Sequence, residues 1–260
     1  MEKIDERLVE LFDEMMTHTR EFRKKSYENI FQEGFSKYKG LTEEISAVIA
    51  KESEDKKEAL IEHFANVIPE YAYKKVQEEK KIKKRHAAKH DDIDYNLNIV
   101  VYVVPILNYM KDANCEAVAK RLVELWNEKK VTPMEISYSN FESISAGFNK
   151  KLCYITTAVC ESQNKPDDCY ELNTLREYRD NYLMKTREGK KLVEEYYDVA
   201  PALVLCIDMQ KNSRQIYDNI YEKYLVPCLG CIEENRMEEC QERYVSMVHD
   251  LESRYFGDLH

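Results

Sequence analysis

Six glycines and six prolines are spread through 260 residues, and this scarcity constrains the fold more than any other feature. Sandwiches and barrels of β-strands turn every few residues and draw on glycine and proline to do so, whereas long helices need few turns. The apolar spacing agrees. Between residues 3 and 31, Ile4, Leu8, Leu11, Phe12, Met15, Phe22, Ile30 and Phe31 fall largely three or four apart, which predicts an amphipathic helix. Gly34 and Gly40 predict a break, with Thr42 capping a following helix that carries Ile45, Val48 and Ile49. The pattern resumes at Leu60, Ile61, Phe64 and Val67, and Pro69 predicts a further helix start. Residues 113–129 give the clearest amphipathic pattern, with Val118, Leu122, Leu125 and Trp126. Helices are also expected at 138–148, from Pro166 to about Met184, at 190–209, at 214–225 behind Asn212 and Ser213, and at 236–256, with Gly189 as an interruption. The expected fold is all-α: a multi-helix bundle with an N-terminal helical arm or hairpin and a C-terminal helical core.

One run fits less simply. Ile99 to Leu107 reads IVVYVVPIL. Its β-branched residues suit a buried strand, while Pro105 and the length of the surrounding apolar stretch favour a buried helix. The run is too short to span a bilayer. The chain begins MEKIDERLVELFDEMM, with charges from the second residue and no apolar stretch behind them, so no signal peptide and a cytoplasmic location are expected. There the eight cysteines would be free thiols, metal ligands or redox groups rather than structural disulfides.

The net charge of −10 argues against a nucleic-acid partner, because the phosphate backbone demands cationic surface. One strongly basic run, Lys74 to His90, lacks interleaved aromatics and reads as a solvated helix end or linker. It marks the expected boundary between an N-terminal helical segment, 1–90, and a C-terminal helical core, 91–260. His86 and His90 stand four apart, with Asp91, Asp92 and Asp94 close by, a spacing that can hold an adventitious metal ion on a helix.

The richest chemistry lies between Lys151 and Val204, in the blocks KLCYITTAVC, LREYRDNYL and EEYYDVAPALV. These blocks resemble the CFI-box family, whose pattern is a C-F-I-A-T-A opening, then LR-x-F-R-D and a YY-x-x-(S/A)-P stretch. The matching positions are Cys153, Ile155, Thr157, Ala158, Leu175, Arg176, Arg179, Asp180, Tyr196, Tyr197 and Pro201. Tyr154, Thr156 and Tyr178 replace the family's phenylalanine, alanine and phenylalanine. Val159, Cys160 and Glu161 stand where the family often places Tyr-Gly and a short loop. The resemblance covers about a fifth of the chain and implies no particular activity.

Physical chemistry supplies two readings of these residues. Cys153 at a helix N-terminus would have its thiolate favoured by the macrodipole. Arg176 and Arg179, three apart, would converge on one face to lower that thiol's pKa further or to hold an anionic ligand. Cys153 is then a candidate nucleophile, with Arg176, Arg179, Asp180, Tyr196 and Tyr197 as candidate ligand contacts. The alternative is a small buried cysteine beside arginine–carboxylate pairs that lock helix packing. Cys153 and Cys160 lie two helical turns apart, a spacing that could bring them to a third thiol and that a shared apolar stripe explains equally well. Separately, Cys228 and Cys231 could grip one metal ion, zinc above all, with Gly230 easing a tight turn and Cys240 as a third ligand. His249, Cys169 or Cys206 could complete that set. The functional expectation is a binding protein for a protein or small-molecule partner through the Cys153–Pro201 block. Its rival is a thiol- or metal-dependent enzyme or sensor using Cys153 or the Cys228–Cys231 pair. No glycine-rich phosphate loop or G-x-S-x-G elbow occurs.

Overall fold

The computed structural model describes residues 1–83, 92–149 and 153–257, and every regular element among them is helical. The chain divides into two units, Met1–Glu21 with Ser26–Ala146, and Phe22–Lys25 with Gly147–His260. The division therefore falls near residue 146 rather than at 90. The run after residue 91 belongs with the first helices, where the Asn98 side-chain amide donates to the Phe12 carbonyl at 2.9 Å. His86, His90 and Asp91 lie outside the described residues. Asp94 is buried and faces the Thr19 hydroxyl at 3.3 Å and Arg20 at 3.6 Å. No helix of the described residues is long and apolar enough to cross a membrane.

The first unit holds α1 (Glu2–Met16), most of α2 (Lys24–Ala50), α3 (Glu54–Lys83), α4 (Asp92–Asn98), α5 (Val104–Asn108), α6 (Ala113–Lys129) and the start of α7 (Phe141–Asn149). The single helix expected over 3–31 is broken by a 3-10 turn at Thr19–Glu21. Its apolar positions other than Ile30 are nonetheless buried, with Leu8, Leu11, Phe12 and Phe31 fully enclosed.

Gly34 and Gly40 do not mark a break. α2 runs through both Gly34 and Gly40, and Thr42 lies inside it, its hydroxyl donating to the Lys39 carbonyl at 2.7 Å. Gly34 instead permits close packing: a Cβ there would stand 3.0 Å from Met15 Sδ and 3.3 Å from Ile106 Cδ1. The last helix, Met237–Phe256, ends at Gly257, with φ 74°, and three other helices end on lysine or asparagine. Lys130, Asn164 and Asn235 all have positive φ, at 51°, 57° and 57°. Each is followed by a residue whose N–H reaches back five positions: Val131 to the Trp126 carbonyl, Lys165 to Cys160 and Arg236 to Cys231, at 3.2, 2.9 and 2.7 Å. This is the usual left-handed helix stop with asparagine or lysine in glycine's place.

Proline marks some starts and not others: Pro105 and Pro227 sit in the first turns of α5 and of the helix Val226–Glu233. Pro69 lies within α3. Ile99–Leu107 is helical throughout, entirely buried, and enters Pro105 through a π-helical turn, Ile99–Val103. Proline lacks an N–H and crowds the carbonyl four residues back, and a widened turn relieves that crowding. The carbonyl in question, on Val101, accepts the buried Tyr27 hydroxyl at 3.1 Å. The same arrangement recurs at Pro227, behind the π turn Tyr221–Leu225.

The second unit holds α8 (Tyr154–Ser162), α9 (Tyr170–Asn181), a 3-10 turn at Leu183–Lys185, α10 (Arg187–Asp208), α11 (Ser213–Ile220), α12 (Val226–Glu233) and α13 (Met237–Phe256). Gly189 lies within the first turn of α10 rather than interrupting it. Thr186 caps that helix, its hydroxyl accepting the Gly189 N–H at 2.9 Å.

Candidate functional site

Helices α9, α10 and α13 enclose a cleft of about 480 Å3, within the size range of small-molecule sites. Its apolar wall comes from Leu175, Leu183, Leu192, Val193, Val199, Val245 and Val248, with Tyr178, Tyr196 and Tyr244 presenting rings. Cys153 and Arg179 line one part of it. Arg23, Asp198, His249 and Glu252 bring charge to another. Arg23 pairs with Glu252 at 3.4 Å and lies over the Phe256 ring at 3.9 Å, while Asp198 accepts the Lys25 N–H at 2.7 Å.

Cys153 is the N-cap residue of α8, as its position in the sequence suggests, and is buried. Its sulfur lies 3.5 Å from Arg179 Nη1. The same nitrogen donates to the Tyr197 hydroxyl at 3.0 Å, and the other edge of the guanidinium grips Asp180 at 2.7 and 3.0 Å. Arg179 is thus held in one orientation with its charge half spent on an adjacent carboxylate, and the Asp180 pairing strengthens its hold on its proton. The Tyr196 hydroxyl accepts the Ile155 N–H at 2.9 Å, which ties α10 to the first turn of α8.

Of the expected contacts, Cys153, Arg179 and Tyr196 meet at the cleft, and Tyr197 and Asp180 meet Arg179. Arg176 does not converge with Arg179. Its guanidinium turns to Asp167, bonding the backbone carbonyl and the carboxylate at 2.7 Å each. Three apart on a helix gives a shared side, but Asp167 before α9 offers a closer partner than the cleft does.

The expected low-pKa thiol is also corrected. Burial pushes the Cys153 thiol up, and the opposing pull of Arg179 and Arg176 does not overcome it. Alkylation requires the thiolate. In the folded protein, Cys153 should therefore react with iodoacetamide more slowly than free cysteine near neutral pH. Its rate should climb only as pH rises beyond the ordinary thiol range. Mass-resolved labelling against a denatured control measures this, and rapid labelling at pH 7 would contradict it.

Cys228 and Cys231 sit inside α12, so Gly230 serves no tight turn. Both are buried, as is Cys240 on α13. The Cys228 thiol donates to the Cys240 carbonyl at 3.8 Å, and its interaction with the Cys240 side chain together with burial pushes the Cys228 thiol up. His249, offered as a further ligand, is exposed. Among the described residues, the one trio of histidine, cysteine or carboxylate ligand atoms lying within 4.8 Å of one another is elsewhere: Cys160, Cys169 and Glu171. Cys153, Cys160 and Leu172 form one buried cluster against which Cys169 packs, so the spacing of Cys153 and Cys160 does lead to a third thiol.

Apart from His249, the α13 contribution to the cleft is absent from the sequence reading. Gln241, Tyr244, Val245, Val248, His249 and Glu252 alternate three and one apart, a helical stripe that mixes polar and apolar residues as cleft walls do. That mixture hid the stripe from a search for wholly apolar faces. Comparison with models of protein families, with curated proteins and with solved structures finds nothing that matches this chain.

Proposed function

We propose that the second unit is a binding module for an apolar small molecule, taken up between α9, α10 and α13. The observation that carries this reading is the composition of the cleft: a largely aliphatic and tyrosine wall, with Arg179 and a thiol at one part and the ionisable Arg23, Asp198, His249 and Glu252 at another. Such a wall gains from excluding water over an apolar ligand, and Arg179, fixed by Asp180 and Tyr197, would orient its polar end. The CFI-box resemblance is consistent with it, since Cys153, Leu175, Arg179 and Tyr196 all belong to both the motif and the cleft. Free cysteines throughout suit a reducing compartment such as the cytoplasm.

A neutral solvatochromic dye, Nile red, tests the proposal. Its emission should brighten and shift to the blue with the wild-type chain. The Val248→Trp variant, which fills the cleft from α13, should weaken binding at least about tenfold, or about 1.4 kcal/mol, with helix content unchanged by circular dichroism. Equal binding by both proteins would remove the cleft as the site. The thiol-enzyme reading retains one supporting observation, that Cys153 lines this cleft, and the alkylation profile above decides it.

A further inference from the structure

We propose that Cys160, Cys169 and Glu171 form a site for one thiophilic divalent cation, separate from both the cleft and the Cys228–Cys231 pair. The local fold brings the three together. α8 ends at a left-handed Asn164, and the Lys165 N–H closes back on the Cys160 carbonyl at 2.9 Å. That stop reverses the chain within a few residues, so that Cys169, the N-cap of α9, and Glu171 in its first turn return beside Cys160.

The two sulfurs and one carboxylate oxygen lie within 4.8 Å of one another, a separation that donors around a single zinc ion approach by small side-chain rotations. Cys160 and Glu171 are buried, whereas Cys169 is half-exposed. The trio therefore has a closed side and an open side, and solvent at the open side would supply the fourth donor.

The surroundings are those a coordinating carboxylate needs. Glu171 Oε1 accepts hydrogen bonds from Lys165 Nζ at 2.5 Å and from the Tyr221 hydroxyl at 3.0 Å. Lys165 in turn reaches the Tyr221 hydroxyl at 3.2 Å and lies over that ring at 4.2 Å. Outer partners of this kind fix ligand orientation. The charges also balance: two thiolates and a carboxylate against one ammonium leave two negative charges, which one divalent cation cancels.

The test uses the full-length, reduced chain under oxygen-free conditions, titrated with cobalt(II) as a spectroscopic probe and then with zinc. One equivalent of cobalt should give thiolate-to-metal charge-transfer absorption, and zinc should displace it. Cys169→Ser and Glu171→Gln should each weaken binding by at least the ~10–100-fold that loss of an outer partner costs a metal site. Cys169 lies at the open side and Glu171 is buried, and helix content reports whether each variant folds. Cys228→Ser should leave binding unchanged. Absence of the band would overturn the proposal, as would a band that Cys228→Ser abolishes and Glu171→Gln spares.

Discussion

Replacing Gly189 by alanine is expected to destabilise the second unit by about 3 kcal/mol, near the upper end of ordinary overpacking. A Cβ at this position would stand 2.1 Å from the Leu183 carbonyl oxygen, 2.7 Å from its carbon and 2.8 Å from Thr186 Oγ1. The obstacle is backbone, so no side chain can swing aside. Either the Leu183–Lys185 turn or the first turn of α10 must move, and with the second goes the Thr186 cap. Because Val193, Tyr196 and Val199 line the cleft from α10, Nile red binding should fall with stability. Gly230→Ala is the matched control. Nothing stands within 4 Å of its added Cβ, so mid-helix alanine should stabilise by up to about 1 kcal/mol. Denaturant midpoints of the two variants should move in opposite directions, and a neutral Gly189→Ala would show that the turn is not packed as described.

Trp126→Ala is expected to cost the first unit about 3–5 kcal/mol, as for other buried aromatic truncations. The indole is fully enclosed, with the Phe12 ring centroid 6.4 Å away. Its N–H donates to Asn96 Oδ1 at 3.0 Å. Trp126→Phe should cost less, because the ring volume is largely retained and Asn96 Oδ1 keeps the Thr132 hydroxyl at 2.8 Å. The chain has one tryptophan, so both variants remove its indole emission and unfolding must be followed by circular dichroism. Equal midpoints for wild type and Trp126→Ala would refute the packing argument.

The sequence revealed helix content far better than helix ends. α6 was readable to the residue because its signals are local: Asp112 accepts the N–H groups of Asn114 and Cys115 at 3.1 and 3.0 Å, and four large apolar residues share one face. Gly34, Gly40 and Gly189 misled because a glycine that breaks a helix and one that admits a neighbouring atom look alike in sequence. Only the identity of that neighbour, Met15 and Ile106 for Gly34 or the Leu183 backbone for Gly189, separates them. Pro69 misled for a related reason, since tertiary packing outweighs its local preference. At the candidate site, Cys153, Arg179 and Tyr196 were accessible through the motif. Arg176 was misplaced because its choice of Asp167 depends on how the chain enters α9. The α13 wall depends on contacts between helices distant in sequence, which spacing alone does not disclose.

Seven of the eight cysteines are buried, and Cys169 alone is half-exposed. The native chain therefore offers a bulky maleimide fluorophore a single landing place, with no need to mutate the other thiols away. The dye-to-protein ratio becomes a gauge of structural integrity, standing near one while the helices hold and climbing toward eight as they come apart.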